Sequence, residues 1–287
     1  MKRGRHVYLW FIAPAVAFVL AFTVYPSLYG IYLSLTDLHF GYVDTHFIGL
    51  ANYVRLLTWN RFWPVMRTTA LFVAVTVAFQ MVLGLLAALI LEKRARGSSI
   101  ARTIAILPWA LPSVVIGLMF NRMVSGSKLG ILNYLTSFLG LAPRAWLSDP
   151  TLAMAILIGA LVWRGTGLSI ILQLGGLQTI PDEVIEAARI DGAGRMATLL
   201  RVTIPMLRQS LLVNLIMSSA GTLNHVAIPL SLTGGGPQGA TEVLSLVVYK
   251  QGFQVLNAGF AAAIATFMLV LNLVLTVVYL RVMRERE

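Results

Sequence analysis

Long apolar runs without charged side chains are the feature that most constrains this chain of 287 residues. A helix needs roughly 18 to 20 apolar residues to cross the hydrocarbon core of a bilayer, and several runs here are longer. Because 58% of the residues are hydrophobic and 11% are charged, the composition lies outside the usual range of soluble domains. The sequence therefore predicts one all-α integral membrane domain, with six transmembrane helices at residues 7–36, 68–91, 103–121, 152–177, 209–232 and 257–280.

The distribution of Lys and Arg predicts the orientation of these helices. An even number of spans places both termini on one side of the membrane, and the first run is too long for a signal peptide, so we expect it to be a span. Fourteen of the 22 basic residues fall on the side of the termini, which the positive-inside rule assigns to the cytoplasm. They are Lys2, Arg3, Arg5, Lys93, Arg94, Arg96, Arg102, Arg189, Arg195, Arg201, Arg208, Arg281, Arg284 and Arg286.

Composition also excludes several kinds of site. Cysteine is absent, so the chain has no disulfide, no thiolate metal ligand and no cysteine nucleophile. The four histidines, His6, His39, His46 and His225, are far apart and lack metal-ligand spacing, so no metal site is expected. The net charge of +11 is spread over short loops, which indicates orientation and lipid contact and argues against nucleic-acid binding.

Several prolines lie inside the predicted spans. Proline removes a backbone donor and tends to bend or break a helix. Bent helices are better suited than straight ones to enclosing a path across the membrane. These residues are Pro14, Pro26, Pro108, Pro112, Pro205 and Pro229.

A polar segment, residues 178–205, separates the fourth and fifth spans, and its beginning has the pattern of a helix start. Thr179 is expected to cap this helix and Pro181 to occupy its first turn. The carboxylates of Asp182 and Glu183 would oppose the positive end of the helix dipole. The sequence therefore predicts a short helix on the cytoplasmic side.

The same helix is predicted to be amphipathic and to end at Gly192 or Gly194, where glycine lets the chain turn. Its two faces fit either a helix lying at the membrane interface or one that docks into another protein. Val184, Ile185 and Ala188 form an apolar stripe, and Glu183, Glu186 and Arg189 face elsewhere.

The spacing within this segment resembles a known family. Glu186-Ala187-Ala188, three residues, Gly192, nine residues and an apolar-x-apolar-Pro ending resemble the signature loop of binding-protein-dependent ABC importer permeases. Val202 and Ile204 stand where that pattern usually has isoleucine and leucine. Four further blocks resemble the carbohydrate-uptake branch, of the maltose, trehalose and glycerol-phosphate type, and they lie at residues 47–53, 107–112, 130–134 and 232–237.

The resemblance implies the type I permease fold of ABC importers, in the inner membrane of a prokaryotic cell. It implies one half of a translocation path for a di- or oligosaccharide or a sugar-like solute. The implied partners are a second permease subunit, two ATPase subunits and an extracytoplasmic solute-binding protein. In the family the signature loop forms a coupling helix that sits in a cleft of the ATPase, so the implied contacts are Glu186, Ala187, Ala188, Asp191 and Gly192.

We expect no ATP hydrolysis by this chain. Residues 234–237 are Gly-Gly-Gly-Pro, which lacks the Gly-Lys-Ser/Thr ending of a phosphate-binding loop and follows a membrane span rather than a strand. The chain is therefore predicted to be neither an enzyme nor the holder of a cofactor, with ATP and Mg²⁺ bound by the partner ATPase.

A polar stripe on the fifth span is a candidate substrate site. Asn214, Ser218, Thr222 and His225 follow one another at steps of four, four and three residues, so they share one helical face. Such side chains bind sugar hydroxyls, or they join helices to one another by hydrogen bonds. Both interpretations remain open on the sequence alone.

The family resemblance adds positions to this site. The sugar-contacting positions of maltose-type permeases fall here on Ser218, Thr222 and His225, with Asn224 beside them, and on the fourth span on Leu161, Gly165 and Leu168. Only Ser218 and Gly165 retain the expected residue type. The resemblance therefore implies that the sugar is held differently or is a different sugar.

Arg164 is the one charged residue deep in a predicted span, and it follows Trp163. A lone Arg near a helix centre costs roughly 2.5 to 3.5 kcal/mol on insertion scales, so it needs a partner. It either pairs with the second permease subunit or, beside a stacking indole, recognises a hydroxyl-rich or phosphorylated ligand. No Asp or Glu lies in a span interior.

The alternative function is a secondary transporter driven by protons or ions. Such a protein is expected to carry an intramembrane Asp or Glu, or a repeated pair of broken helices, and the sequence has neither. A membrane enzyme would need clustered catalytic groups, whereas the acidic residues here lie mainly in loops and at span ends.

Overall fold

The computed structural model describes residues 5–41, 44–92, 98–127 and 130–284. Within these ranges the chain is helical, and its β pairing consists of two isolated bridges, which confirms the all-α prediction. Part of the evidence for orientation lies outside the described residues, namely Lys2, Arg3, Lys93, Arg94, Arg96 and Arg286.

Fifteen α-helices follow one another in the described ranges. The first eight are α1 (Arg5–Val19), α2 (Tyr25–Leu33), α3 (Ala51–Thr58), α4 (Phe62–Leu91), α5 (Ser98–Ala110), α6 (Ser113–Met123), α7 (Ile131–Ser137) and α8 (Pro150–Leu177). The others are α9 (Asp182–Ile190), α10 (Arg195–Thr198), α11 (Ile204–Met206), α12 (Arg208–Leu223), α13 (Ala227–Leu232), α14 (Leu244–Tyr249) and α15 (Ala258–Arg284). Wide π-helical turns occupy Leu20–Val24, Leu199–Thr203 and Lys250–Gln254, and a 3₁₀ turn occupies Trp146–Ser148.

Four helical segments of the described chain are long and apolar enough to cross a bilayer, and two bent pairs raise the number to six if each pair is one span. α5 and α6 meet at 93°, and α12 meets the helix before it at 69°. The first bend breaks the predicted span 103–121 at Leu111 and Pro112, and the second lies at Leu207, just before the predicted span 209–232. Within that second span α12 ends at Leu223 and α13 begins at Ala227. The long segments are Phe11–Leu33, Phe62–Leu91, Pro150–Leu177 and Ala258–Val282.

Two of the π-helical turns lie directly before prolines. Pro26 and Pro205 have no N–H, so the carbonyl four residues earlier loses its usual donor. The residue before each proline instead donates over five residues, from Tyr25 N to Leu20 O and from Ile204 N to Leu199 O. The helix widens there and continues, which is one recognised way of absorbing a disturbance in a helix.

The contacts divide the chain into two compact units, of which the first comprises residues 1–62 and 247–269. In this unit Asn52 on α3 is buried, and its amide donates to Ser34 O at 3.0 Å and to Thr36 O at 2.8 Å. The Arg55 guanidinium lies 4.6 Å from the centre of the Phe260 ring, a cation–π contact that joins α3 to α15.

The second unit comprises residues 63–246 and 270–287 and contains every residue of the candidate sites. A buried apolar cluster of Ala88, Leu174, Leu177 and Leu207 joins the end of α4, the end of α8 and the start of α12. α8 also packs against α5 and α6, and α6 against α13. α8 is therefore the central helix of this unit.

Candidate functional site

The start of α8 is fixed by Asp149. Its Oδ1 accepts from the backbone N–H groups of Thr151 at 2.9 Å and Leu152 at 3.0 Å, and Pro150 occupies the first helical position. Hydrogen bonds to the charged carboxylate, first from Leu152 and then from Thr151, hold the pKa of Asp149 below its ordinary value. Asp149 also accepts from Arg144 Nη2 at 3.1 Å, so the preceding loop and α8 are joined.

Glycines on α8 let three helices approach it closely. A Cβ on Gly165 would clash with the amide of Gln80 on α4, and one on Gly176 with the hydroxyl of Ser210 on α12. A Cβ on Gly167 would lie 2.9 Å from Trp109 Cβ on α5. Gln80 Nε2 donates to Leu161 O at 2.9 Å, which joins α4 to α8. Close backbone approach therefore places these side chains at α8, as small residues do in membrane helices.

A small cavity of about 60 Å³ lies where α4, α5, α8 and α12 meet. Seven of the residues proposed from the sequence line it, and Gln80 and Trp109, which sequence reasoning missed, complete its polar and aromatic wall. The lining residues are Gln80, Trp109, Leu161, Arg164, Gly165, Leu168, Met217, Ser218, Gly221, Thr222 and His225.

The polar stripe of α12 is buried and partly used between helices. Asn214 Oδ1 accepts from Ser169 Oγ of α8 at 3.1 Å and from Ser218 Oγ at 3.0 Å. The Asn214 amide nitrogen is buried without a hydrogen-bond partner among the described residues. Thr222 continues the stripe into the cavity. The first half of the stripe therefore joins helices, and its second half lines the cavity.

Arg164 and His225 line the same cavity and carry unpaired buried atoms. Arg164 Nε and His225 Nε2 each have no hydrogen-bond partner in the described part of the chain. The position of His225 is set by its own backbone, since its carbonyl accepts from Ser245 Oγ at 2.8 Å. The cavity therefore combines a permanent positive charge with an imidazole, and none of its lining residues is Asp or Glu.

Two predicted substrate-path residues lie outside the cavity lining. The Trp163 ring packs 5.8 Å from the Phe120 ring. Asn224 is exposed, and its Nδ2 donates to Ala220 O at 2.9 Å. The two missed residues did carry signals: Gln80 is the only amide side chain between residues 68 and 91, and Trp109 lies between two prolines.

The polar segment at residues 178–205 begins differently from the prediction. Thr179 does not cap α9, because its hydroxyl donates back to Gly176 O at 2.8 Å at the end of α8. Pro181 is the residue before α9 and has no side-chain oxygen for capping. Asp182 and Glu183 do lie in the first turn. Burial, followed by the charge of Asp182, raises the pKa of the nearby Glu92 above its ordinary value of 4.5.

The end of α9 is a Schellman motif centred on Gly192. Gly192 N donates to Arg189 O at 3.0 Å and Ala193 N to Ala188 O at 3.0 Å. Gly192 has a φ of +83°, in the region that favours glycine. These bonds satisfy two carbonyls that the helix leaves open at its end. The predicted turn is therefore made at Gly192, and Gly194 is extended with a φ of −66° and a ψ of 166°.

α9 buries none of its residues. Of the predicted apolar stripe, Ile185 and Ala188 are half-buried and Val184 is exposed, and Glu186 and Ala187 are exposed as well. Ile190 at the end of the helix is 85% exposed. Asp191 and Gly192 are exposed as well. An exposed short helix with a fixed end is a suitable contact surface for a partner protein outside the membrane.

The comparisons with known proteins place this chain in one class. The family of binding-protein-dependent transport system inner membrane components matches residues 80–285, and the chain belongs to this family. It is 37% identical to the trehalose/maltose transport system permease protein MalF of Thermococcus litoralis, over 96% of this chain and 93% of that protein. It is 34% identical to the lactose transport system permease protein LacF of Rhizobium radiobacter, over 100% and 97% of the two chains.

A solved structure has the same fold. A chain of a bacterial ABC transporter involved in the import of the acidic polysaccharide alginate superposes with a TM-score of 0.82 at 22% identity, over 99% of this chain and 96% of that one. The resemblance to ABC importer permeases and the fold class are confirmed. The protein is a multi-pass membrane protein of a transport system, and this class does not favour a secondary transporter.

Proposed function

We propose that this chain is the transmembrane permease subunit of an ATP-driven importer and forms half of the translocation path for a carbohydrate. The observation that carries the proposal is α9, an exposed helix ended by a Schellman motif in the loop that bears the Glu-Ala-Ala pattern. Relatives that share a third or more of their residues with this chain are named for trehalose, maltose and lactose transport, which supports a carbohydrate as the solute.

The proposed partners are two ATPase subunits, a second permease subunit and an extracytoplasmic binding protein. One related structure contains an alginate transporter together with an alginate pentasaccharide-bound periplasmic protein, which supports the binding protein. ATP and Mg²⁺ would be bound by the ATPase, and this chain would hydrolyse nothing itself. The proposed location is a prokaryotic inner membrane, with both termini in the cytoplasm.

In the proposed mechanism the ATPase grips α9 through Glu186, Ala187, Ala188, Asp191 and Gly192. Closure of the two ATPases on ATP moves α9 and switches the path between its inward-facing and outward-facing states. α8 ends at Leu177 and α12 begins at Arg208, on either side of this loop. Their ends are joined by the buried Leu174, Leu177 and Leu207, so a displacement of the loop reaches both helices at once.

The proposed substrate path runs along the cavity between α8 and α12. Arg164, Gly165, Ser218, Thr222 and His225 line it. Trp163 and Asn224 lie outside the cavity wall, and we propose that they contact the solute as it enters or leaves. Hydroxyl, amide and imidazole groups are the donors and acceptors that sugar hydroxyls require.

The function is tested by uptake of a labelled carbohydrate panel in cells with and without this gene. We expect at least one carbohydrate to accumulate only when the gene is present, and its uptake to depend on ATP when an uncoupler removes the ion gradients. Uptake that follows the ion gradient instead of ATP would refute the proposal.

The ATPase contact is tested by crosslinking. The chain has no cysteine, so Ala187→Cys places a single thiol on the exposed face of α9. We expect this thiol to crosslink to the ATPase subunit in the assembled transporter. Ala145→Cys, in the loop before α8, is the control and should give no such product. Equal labelling of both variants by a water-soluble thiol reagent, with no crosslink to the ATPase, would contradict the contact.

A further inference from the structure

We propose that the cavity between α8 and α12 is an anion subsite, which binds a carboxylate, phosphate or sulfonate group carried by the transported carbohydrate. The inference rests on the proposed function and narrows its substrate class to acidic sugars. Its basis is the charge, the unpaired polar atoms and the size of the cavity.

The charge of the cavity is positive and uncompensated. Arg164 lies in the middle of α8 and remains protonated at any physiological pH. None of the residues that line the cavity with it is acidic. The long helix that carries it, Pro150–Leu177, contains no Asp or Glu either. A guanidinium in this position is costly unless an anion pairs with it or water solvates it, and none of the described residues that line the cavity supplies the anion.

The polar groups around this charge are arranged for a ligand. Arg164 Nε is buried without a hydrogen-bond partner among the described residues, and so is His225 Nε2. Thr222 is a buried residue that lines the same wall, and it brings a hydroxyl donor to the cavity. Buried polar atoms without partners are rare in folded proteins because each costs about 1–3 kcal/mol. A bound oxyanion would satisfy the guanidinium and the hydroxyl together, because its oxygens accept from both.

The cavity has room for an oxyanion. Its volume of about 60 Å³ is several times the roughly 10–15 Å³ that one water molecule needs on this measure, so a carboxylate or phosphate group fits beside Arg164. Trp109 lines the same cavity and is 38% exposed, so its ring offers an aromatic surface to the sugar that carries the anion.

A matched panel of neutral and acidic sugars tests the subsite. Cells that carry the transporter are given labelled maltose and maltobionate, cellobiose and cellobionate, and glucose and glucose 6-phosphate. We expect the acidic members to accumulate. Arg164→Gln should lower their uptake about tenfold or more, the scale of one lost charge-assisted hydrogen bond. Arg164→Lys keeps the charge and should retain more uptake than Arg164→Gln.

Arg67→Gln is the matched control, because Arg67 is an exposed arginine near the start of α4 and does not line the cavity. It should leave uptake unchanged. Accumulation of the neutral members alone would overturn the subsite and leave the proposed function standing. Loss of assembled transporter in Arg164→Gln, measured by copurification of the second permease, would overturn it by assigning Arg164 to a subunit interface. Uptake of no carbohydrate at all would refute the proposed function and the subsite together.

Discussion

Replacement of Gly192 is the sharpest test of the coupling role of α9. The φ of +83° at Gly192 costs a residue with a Cβ about 1–2 kcal/mol. A Cβ built on Gly192 meets no atom within 4 Å, so this backbone strain is the whole expected cost. Gly192→Ala should show this strain cost alone. Gly192→Val should cost more, because β-branched residues avoid this region, and Gly192→Asn should cost less.

That free energy is large in relation to α9. The helix has nine residues and buries none of them, and helices of this length are marginal in water. A loss of about 1–2 kcal/mol shifts an opening equilibrium about 5- to 30-fold. We therefore expect the backbone amides of the last turn of α9 to exchange with deuterium faster by this factor in Gly192→Ala. Transport should fall least in Gly192→Asn, more in Gly192→Ala and most in Gly192→Val.

The assay combines hydrogen exchange of the purified transporter with uptake in cells. Gly194→Ala is the matched control, since Gly194 has an ordinary φ of −66° and no atom near its Cβ position. Gly140→Ala controls for strain elsewhere, because Gly140 has a φ of +72° and is equally open. Unchanged exchange in Gly192→Ala would refute the assignment of strain, and full uptake by a well-expressed Gly192→Val would refute the coupling role.

Three further predictions concern packing and charge. Gly165→Ala should lower the melting temperature, because the added Cβ forces the Gln80 amide off Leu161 O, at a cost of about 1–3 kcal/mol. Adding Gln80→Ala to this variant should restore part of the lost stability. Additive losses of stability in the double variant would contradict the contact between Gly165 and Gln80. Asn133→Ala should make residues 124–148 more sensitive to protease, because the Asn133 side chain joins several parts of this loop. Its amide nitrogen donates to Ser125 O, Ser127 O and Arg144 O, and its oxygen accepts from Arg144 N and Trp146 Nε1. Unchanged cleavage would show that Asn133 does not hold the loop. The folded protein raises the pKa of Glu92, so it keeps this proton to a higher pH than the unfolded chain does and loses stability as pH rises above 4.5. Glu92→Gln should therefore melt higher than wild type at pH 7 and equally at pH 4. An equal melting temperature at pH 7 would contradict the raised pKa.

Periodicity and turn chemistry predicted much of this molecule. The apolar runs predicted the helices, and the Glu-Ala-Ala segment predicted α9 with its glycine turn. Ser218, Thr222 and His225 share one helical face in the sequence and line one cavity in the structure. These features are local, since each depends on residues within a few turns of one helix.

The features that sequence reasoning missed depend on contacts between distant parts of the chain. Gln80 and Trp109 reach the cavity because Gly165 and Gly167 of α8 have no side chain there, and spacing along one helix does not indicate its neighbours. Thr179 had two possible hydrogen-bond partners, and the carbonyl of Gly176 behind it is the one it binds. The break at Leu111 and Pro112 turns the chain by 93°, whereas proline alone indicates only that some bend is available.

The glycines of α8 restrict the motions that are open to this helix. Neighbouring helices contact α8 closely at Gly165, Gly167 and Gly176, so rotation of α8 about its own axis would cause steric overlap. The end of α8 at Leu177 and the cavity residue Gly165 are 12 residues apart, or about 18 Å at 1.5 Å per residue. A larger residue at any of the three glycines would push a neighbouring helix away from α8, so these positions favour glycine over that length.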